Sequence, residues 1–552
     1  MKTKSISLVS ALSTAFLTAC GGGGGSGSDP TVVKTSDGVV QGAMVNDVAI
    51  FKGIPFAAPP VGNLRWKPPQ PVAAWNGVRQ ATSFVHDCMQ TSTSTPGTGP
   101  ATPSEDCLYL NVWRRAKSDG TTAQNAKLPV MVWIYGGAYV IGGTSSPVTD
   151  GTQFAKQGVI VVTLNYRLGR FGFFAHPALT EAAAQSGEAL GNYGYLDQIA
   201  ALKWVQRNIA SFGGDPANVT VFGESAGGES IHNLITSPLA SGLFQKAIIE
   251  SGNGRVNQYY GRTLARNANT IGASAEEQGA LFAQKFGITG KDANALQALR
   301  ALSASQVLDG LDVTTLNAPQ SLATFSGGPI VDGKIVPDEP EVLYNSGQFM
   351  KIPVMLGVNN ADLGFSTPGI TTKDQAYAIF GAQNQAAARA AFDPTGTASV
   401  ADVESQISRV ITMDEPARFV ARSFTSRSVP AYLYRFSYVP QSIQNKVSGA
   451  THAAEIPFVF DTLASSYGTA VTSQDEQVAQ RMSAYWAAFA KTGKPSDAGL
   501  TSWPAYSIAD DNELEFTSAG ALRLNKPSPL KAQIDLVQPL NDANQTINRQ
   551  YQ

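Results

Sequence analysis

Three short stretches of the chain are apolar almost throughout: residues 128–135, 159–166 and 219–222. Their β-branched and aromatic content makes each a predicted strand buried on both faces. Between the second and third, residues 195–212 carry apolar side chains at helical spacing. Further strands are predicted at 247–250, 354–358 and 431–436. Strands alternating with helices imply a mostly parallel sheet with helices on both faces, the α/β class. Before these, residues 32–51 alternate apolar and polar, with turn signals at Asp37-Gly38 and Asn46-Asp47. That pattern predicts an antiparallel β-meander. Residues 52–60 read as a proline-rich loop, and 91–103, rich in Ser, Thr, Pro and Gly, as a mobile surface excursion. Residues 254–322 are helical by composition and are expected to pack over the sheet and shape a substrate entrance. A long helix over 476–492 stops at Gly493. The polar tail 541–552 is expected to fray.

Length and composition add limits. The 552 residues are 43% hydrophobic and 15% charged with a formal net charge of −2, enough for a large core. No basic stripe stands out, which argues against nucleic acid as a partner. The first residues read as a targeting segment: Lys2 and Lys4 precede a short apolar run, 6–17, too short to span a bilayer permanently. The run ends Leu17-Thr18-Ala19-Cys20 before five glycines, which resembles a bacterial lipoprotein signal. The resemblance implies a signal peptide over 1–19, lipid on Cys20 and a flexible tether to residue 30. With Gly21 in place of Asp after Cys20, it implies export to the outer membrane of a Gram-negative bacterium, on the periplasmic or cell-surface side. An ordinary secretory signal, giving a secreted or periplasmic protein, is the alternative. Two cysteines remain, Cys88 and Cys107. They either close a small loop in an oxidising compartment or stay as buried thiols.

Candidate chemistry centres on Gly223-Glu224-Ser225-Ala226-Gly227, which fits G-x-S-x-G between a predicted strand and a predicted helix. Such a sharp join strains the backbone at Ser225, and bulky side chains two residues to either side would collide. The hydroxyl then stands at a helix N-terminus, where free N–H groups favour negative charge. A plain strand-to-helix turn is the bland alternative in a chain with 53 glycines. A nucleophilic serine also needs oxyanion donors, a base and a group to orient the base. Tyr135-Gly136-Gly137-Ala138-Tyr139 ends a strong strand with small residues, and the N–H groups of Gly137, Ala138 and Ala226 are the expected donors. Four histidines occur: His86, His176, His232 and His452. Chain order in this class of site runs Ser, acid, His, leaving His232 and His452. His232 lies about two turns into the serine's own helix, too far along to reach back. His452, in a late loop, is the expected base. The acid should follow a strand between the two. Asp362, just beyond 354–358, is the choice, with Asp414, Glu415 and the acids near Asp338 as weaker alternatives.

Several long motifs, in order, now resemble the type-B carboxylesterase family, which includes cholinesterases and bacterial para-nitrobenzyl esterases. They are FKGIPFAAPPVGNLRW, SEDCLYLNVW, VMVWIYGGAYV, NYRLGRFGFF, GNYGYLDQ, ALKWVQRNIASFGGDPANVTVFGESAGG, HAAEIPFVF and YWAAFAKTGKPS with Trp503-Pro504 beyond it. The resemblance runs from about residue 32 to about 540. It implies an α/β-hydrolase fold, with helical insertions over the site, in one domain over 31–545. It implies a triad of Ser225, an acid and His452, and a Cys88–Cys107 disulfide. It also implies buried ion pairs of Arg65 with Glu105 and Arg167 with Asp197. Glu224 is similar to a buried carboxylate that assists the histidine in relatives, and Ser251 matches a secondary serine near the triad. Two departures matter. The family usually carries glutamate in a D-E-G context at the acid position; counted from Gly357, Asp362 falls there, but Leu363 separates it from Gly364. The loop between Cys88 and Cys107 is short and lacks the tryptophan with which cholinesterases bind a quaternary ammonium.

The expected activity is hydrolysis of a small-molecule ester through a covalent acyl-enzyme, with no metal or organic cofactor. An amidase or carbamate hydrolase with the same triad is the enzymatic alternative. A non-catalytic binding protein on the same fold is the other, though such relatives typically lose the nucleophile.

Overall fold

The computed structural model describes residues 29–543, apart from 92–98, 100, 117–125, 256–261, 268–269, 271, 317–323 and 497–498. The expected signal segment, Cys20 and most of the tether lie outside these, as do most of the 91–103 excursion and the loop around Asn317. The strands, in chain order, are β1 (Val32–Lys34), β2 (Val39–Gln41), β3 (Ala43–Val45), β4 (Val48–Pro55), β5 (Val78–Gln80), β6 (Tyr109–Arg115), β7 (Leu128–Ile134) and β8 (Ile160–Leu164). They continue as β9 (Phe173–Phe174), β10 (Gly191–Asn192), β11 (Gly214–Glu224), β12 (Lys246–Glu250), β13 (Val354–Asn359), β14 (Ala431–Phe436), β15 (Glu513–Phe516) and β16 (Leu522–Asn525). Eleven form one sheet in the order β16-β15-β14-β13-β12-β11-β7-β8-β6-β4-β3. The run from β15 to β8 is parallel, and both flanks are antiparallel. This is the α/β-hydrolase architecture. The central strands are buried along nearly their whole length, which is why they read as continuous apolar runs.

The N-terminal meander divides. β1 and β2 pair with β5 in a separate three-stranded sheet, whereas β3 and β4 form the edge of the large one. The β3–β4 connection is Asn46-Asp47, both at positive φ (47° and 64°), a tight turn suited to the strand twist. The proline-rich stretch is also partly strand. β4 continues through a register shift between Phe51 and Ile54 and ends at Pro55, opposite Tyr109. Proline is tolerated there because it is the strand's last residue.

Helix Tyr193–Asn208 passes into a 3₁₀ turn, Ile209–Phe212, before Gly213 in the left-handed region. Helix Ser473–Thr492 begins three residues before the predicted start. Thr472 and Asp475 form a capping box there, and Gly493 caps the other end at φ 76°. The tail is not wholly frayed: helix Lys531–Asp542 includes Asn541, which is buried, and Asp542, whose carboxylate meets Arg255 at 2.7 Å. Residues 544–552 lie outside the described residues. What the fold provides is a row of strand C-termini. β11, β12 and β13 end side by side, with Glu224 in register with Glu250 and Glu250 with Gly357.

Candidate active site

β11 turns into helix Ala226–Thr236 through Ser225, which sits at φ 54°, ψ −124°. That region is unfavourable for a residue with a Cβ, so the surrounding structure must enforce it. Ser225 N–H donates to the carbonyl of Glu250 on the neighbouring strand at 2.9 Å. The flanking glycines are a matter of space: a Cβ on Gly223 would lie 2.5 Å from the Ile134 carbonyl oxygen, and one on Gly227 only 2.0 Å from it. The join can therefore form only where both positions lack side chains.

His452 approaches from the loop after β14. That loop is fastened to the turn after β13: Ala361 N–H donates to Ala450 O at 3.0 Å, Ala450 N–H to Asn360 Oδ1 at 2.8 Å, and Asn359 Nδ2 to Thr451 O at 2.8 Å. So fixed, His452 places Nε2 2.8 Å from Ser225 Oγ and Nδ1 2.6 Å from Asp362 Oδ1. The other oxygen of Asp362 accepts from Ser251 Oγ at 2.6 Å and from Asn359 N–H at 3.0 Å. Burial alone would raise Asp362, but His452, Ser251 and Asn359 together hold it below the usual aspartate range. For His452, burial works against the charged form, yet Glu224 and Asp362 push it upward overall. Glu224 Oε1 lies 3.3 Å from Nε2, and burial pushes its carboxyl up to about 8. Leu363, between Asp362 and Gly364, donates its N–H to Asp362 Oδ1 at 2.8 Å, so the altered turn still closes on the acid.

The loop after β7 lies against the strand-to-helix join at Ser225. A Cβ on Gly136 would stand 2.9 Å from Ser225 Cβ. Gly137 (φ 103°) and Ala138 (φ 52°) follow. Among the described residues, no acceptor is hydrogen-bonded to either N–H. Ala226, the first residue of its helix, has no intrahelical acceptor for its own.

The other expected residues fall as follows. His232 is fully buried, with Nδ1 2.7 Å from Tyr344 Oη and Nε2 3.3 Å from Gly252 O. His176 caps a helix by accepting from Ala178 N–H, and His86 Nδ1 lies 2.9 Å from Thr102 O. The alternative acids are engaged elsewhere: Asp414 with Arg409 and Arg435, Glu415 with Arg255, and Asp338 with the N–H of Glu339. Cys88 and Cys107 form a disulfide. Arg65 meets Glu105 at 2.5 Å and Arg167 meets Asp197 at 2.7 Å, all buried or nearly so. Two carboxyls beside Ser225, His452 and Asp362 escaped the sequence reading. Glu250 accepts from Trp486 Nε1 at 2.7 Å, and Glu455 is bonded by Asn359 Nδ2. Burial raises both, Glu455 to about 7. Glu455 carried a signal, lying three residues beyond His452; Glu250 is brought in by the register of β12 with β11, which the sequence does not show. Among the described residues, no group of three or more His, Cys, Asp or Glu is arranged to hold a metal, and no helix is long and apolar enough to cross a membrane.

Residues 29–532 match the model of the carboxylesterase family. The chain belongs to that family. A para-nitrobenzyl esterase of Bacillus subtilis is 38% identical over 496 residues, covering 86% of this chain and 92% of its own. A fumonisin B1 esterase of Sphingopyxis macrogoltabida is 37% identical over 502 residues, covering 87% and 85%. Among solved structures, a PNB esterase superposes with a TM-score of 0.75 at 33% identity, covering 92% of this chain and 99% of its own. A Geobacillus stearothermophilus carboxylesterase gives 0.73 at 34%, covering 92% and 100%. This carboxylesterase is accordingly a carboxylic ester hydrolase.

Proposed function

We propose that this carboxylesterase cleaves small-molecule esters through a covalent acyl-enzyme on Ser225. The observation that carries the reading is one imidazole spanning two partners, 2.8 Å from the serine hydroxyl and 2.6 Å from a buried carboxylate. Nε2 of His452 takes the hydroxyl proton as Oγ bonds to the ester carbonyl carbon. Asp362 holds the tautomer in which Nδ1 carries hydrogen and stabilises the imidazolium that forms. The carbonyl oxygen becomes an oxyanion, received by the N–H groups of Gly137, Ala138 and Ala226. The imidazolium returns its proton to the departing alcohol as the carbon–oxygen bond breaks. Water, deprotonated by the same Nε2, then attacks the acyl carbon. The acid leaves, and Ser225 recovers its proton. Glu224, 3.3 Å from Nε2, adds to the field that favours the imidazolium once it is ionised, whereas burial keeps it protonated below about 8, and Ser251 orients Asp362.

The test is a panel of p-nitrophenyl esters and matching anilides with wild type and Ser225→Ala. Ester turnover should fall by several orders of magnitude in the variant. Undiminished turnover would remove Ser225 as nucleophile, and anilides cleaved as fast as esters would favour the amidase reading. We further propose export with a lipid on Cys20 and a single domain over 31–545. What supports export is the Leu17-Thr18-Ala19-Cys20 context together with a disulfide, a bond that persists in oxidising compartments. Surface labelling of intact cells should be lost in Cys20→Ala; unchanged labelling would leave only a secretory signal.

A further inference from the structure

The loop carrying Gly137 and Ala138 contains four glycines, Gly136, Gly137, Gly142 and Gly143, and so has little to hold it in one conformation by itself. Its entry is fixed by a pair of tyrosines. Tyr135 Oη donates to Tyr166 O at 3.0 Å, Tyr166 Oη donates to Tyr135 O at 2.9 Å, and the rings stack 4.5 Å apart. Its middle is a tight turn in which Gly137 O accepts from the N–H groups of Val140 and Ile141. Its exit is held by a side chain from a distant part of the chain, two residues beyond the disulfide. Gln90 is buried; its Nε2 donates to Gly142 O at 2.7 Å and to Cys88 O at 3.0 Å, and its Oε1 accepts from Gly142 N–H at 3.0 Å. One side-chain amide thus satisfies both polar groups of a single backbone residue. Asp87, on the other side of Cys88, accepts from Ser145 N–H at 3.3 Å and from Ser145 Oγ.

Gly142 is not remote from the donors. It lies at φ 117°, and a Cβ there would be 2.5 Å from the Tyr135 ring and 2.7 Å from Gly136 O. Gly142 is therefore packed directly against the Tyr135 ring and the peptide unit that precedes Gly137, so the two ends of the loop are in contact. We infer that Gln90 is a positioning residue for the oxyanion donors: its reciprocal hydrogen bonds to Gly142 fix where the N–H groups of Gly137 and Ala138 stand relative to Ser225. The inference rests on the reading of those N–H groups as the donors. Gln90 touches no reacting atom; it acts by holding the exit of the loop against its entry. An error of about 1 Å in such a constellation costs roughly a hundredfold in rate.

The experiment uses two variants. Gln90→Met fills the space and removes all three bonds, the two to Gly142 and the one to Cys88 O. Gln90→Glu keeps an acceptor for Gly142 N–H and removes the donor to Gly142 O. The probe is a trifluoromethyl ketone labelled with ¹³C at its carbonyl. Ser225 Oγ adds to that carbon, its proton passes to His452, and the hemiketal oxygen occupies the oxyanion position. The carbon shift against pH reports how strongly the donors stabilise the anion. The expected result is a wild-type hemiketal ionised at neutral pH. In Gln90→Met it should ionise at higher pH by about one unit or more, with Gln90→Glu between. In parallel kcat should fall roughly ten- to a hundredfold while KM changes by less than about threefold. Folded variants with the wild-type titration overturn the inference, even if kcat falls, because Gln90 would then matter only to general stability. A wild-type hemiketal that stays neutral at pH 7 is a different failure: it removes the donor assignment itself, and the role of Gln90 with it.

Discussion

Two histidines follow the serine in sequence, and the regions around them differ in every respect that matters. His232 sits in helix Ala226–Thr236, closed from solvent, facing the Tyr344 hydroxyl and the Gly252 carbonyl. No carboxylate is hydrogen-bonded to its ring among the described residues, and burial depresses it to about 4. His452 keeps 21% of its side chain exposed and is bracketed by Asp362 and Glu224, which raise it. Burial alone produces an inert neutral ring. Burial beside two carboxylates, with part of the ring still exposed, suits a ring to gain and lose a proton during a reaction. The same residue type is packing in one region and, in the proposed mechanism, the base in the other, and the surrounding charges decide which.

The sharpest way to break this contrast is to delete each ring. His452→Ala should lower turnover on the order of 10⁵-fold or more while leaving the melting temperature close to wild type. His232→Ala should do the reverse, leaving kcat within about threefold and costing about 2–4 kcal/mol of stability through a cavity and unpaired buried groups. Exchanged outcomes in steady-state kinetics and thermal melts would invert the account. Next in size is Asp362→Asn, which keeps the shape of the turn but leaves the imidazole in the wrong tautomer. Turnover should fall by roughly 10⁴-fold with the fold intact, and near-normal turnover would place the orienting acid elsewhere.

A third effect is read in stability against pH. The folded pKa of His232 lies below its ordinary 6.5. Between about 6.5 and 4 the unfolded chain therefore binds the extra proton, and stability rises with pH across that window. Wild type should lose on the order of 3 kcal/mol from this group as pH falls from 6.5 toward 4. In His232→Asn that part of the loss should vanish, as measured by urea unfolding at pH 7 and pH 4.5. An unchanged difference between the two pH values would show that His232 is not the group responsible. The smallest effect concerns Ser251. Ser251→Ala removes one hydrogen bond to Asp362 and should reduce kcat about tenfold. A loss as large as that of Asp362→Asn would mean that Ser251 does more than orient the acid.

Much of this was legible in the chain. The join at Ser225, the late histidine and the strand before Asp362 each carry a local signature: close-spaced glycines, a histidine in a polar loop, an apolar run with an acid just beyond it. What escaped depends on partners distant in sequence. β6 and β15 are strands whose assignment rests on the neighbours they pair with, β4 and β8 for the one, β14 and β16 for the other. The division of the meander depends on β5, some forty residues on, which takes up the edge of β2. Glu250 ends a predicted strand and Glu455 lies three residues beyond His452, but neither belongs to a motif of its own. They become part of the site only because β12 lies in register with β11 and the late loop folds back over the strand ends. Gln90 gives no local hint, since its partner is a backbone residue 52 positions away.

The central claim is a covalent bond to Ser225, and it can be observed directly. Wild-type enzyme mixed with a slowly deacylating p-nitrophenyl ester, quenched within one turnover and digested, should yield a peptide containing Ser225 heavier by the mass of the acyl group. Its amount should match the burst of nitrophenol. The account predicts that this adduct accumulates in wild type and is absent in Ser225→Ala. A stoichiometric burst with the acyl group on another residue, or on none, would contradict it.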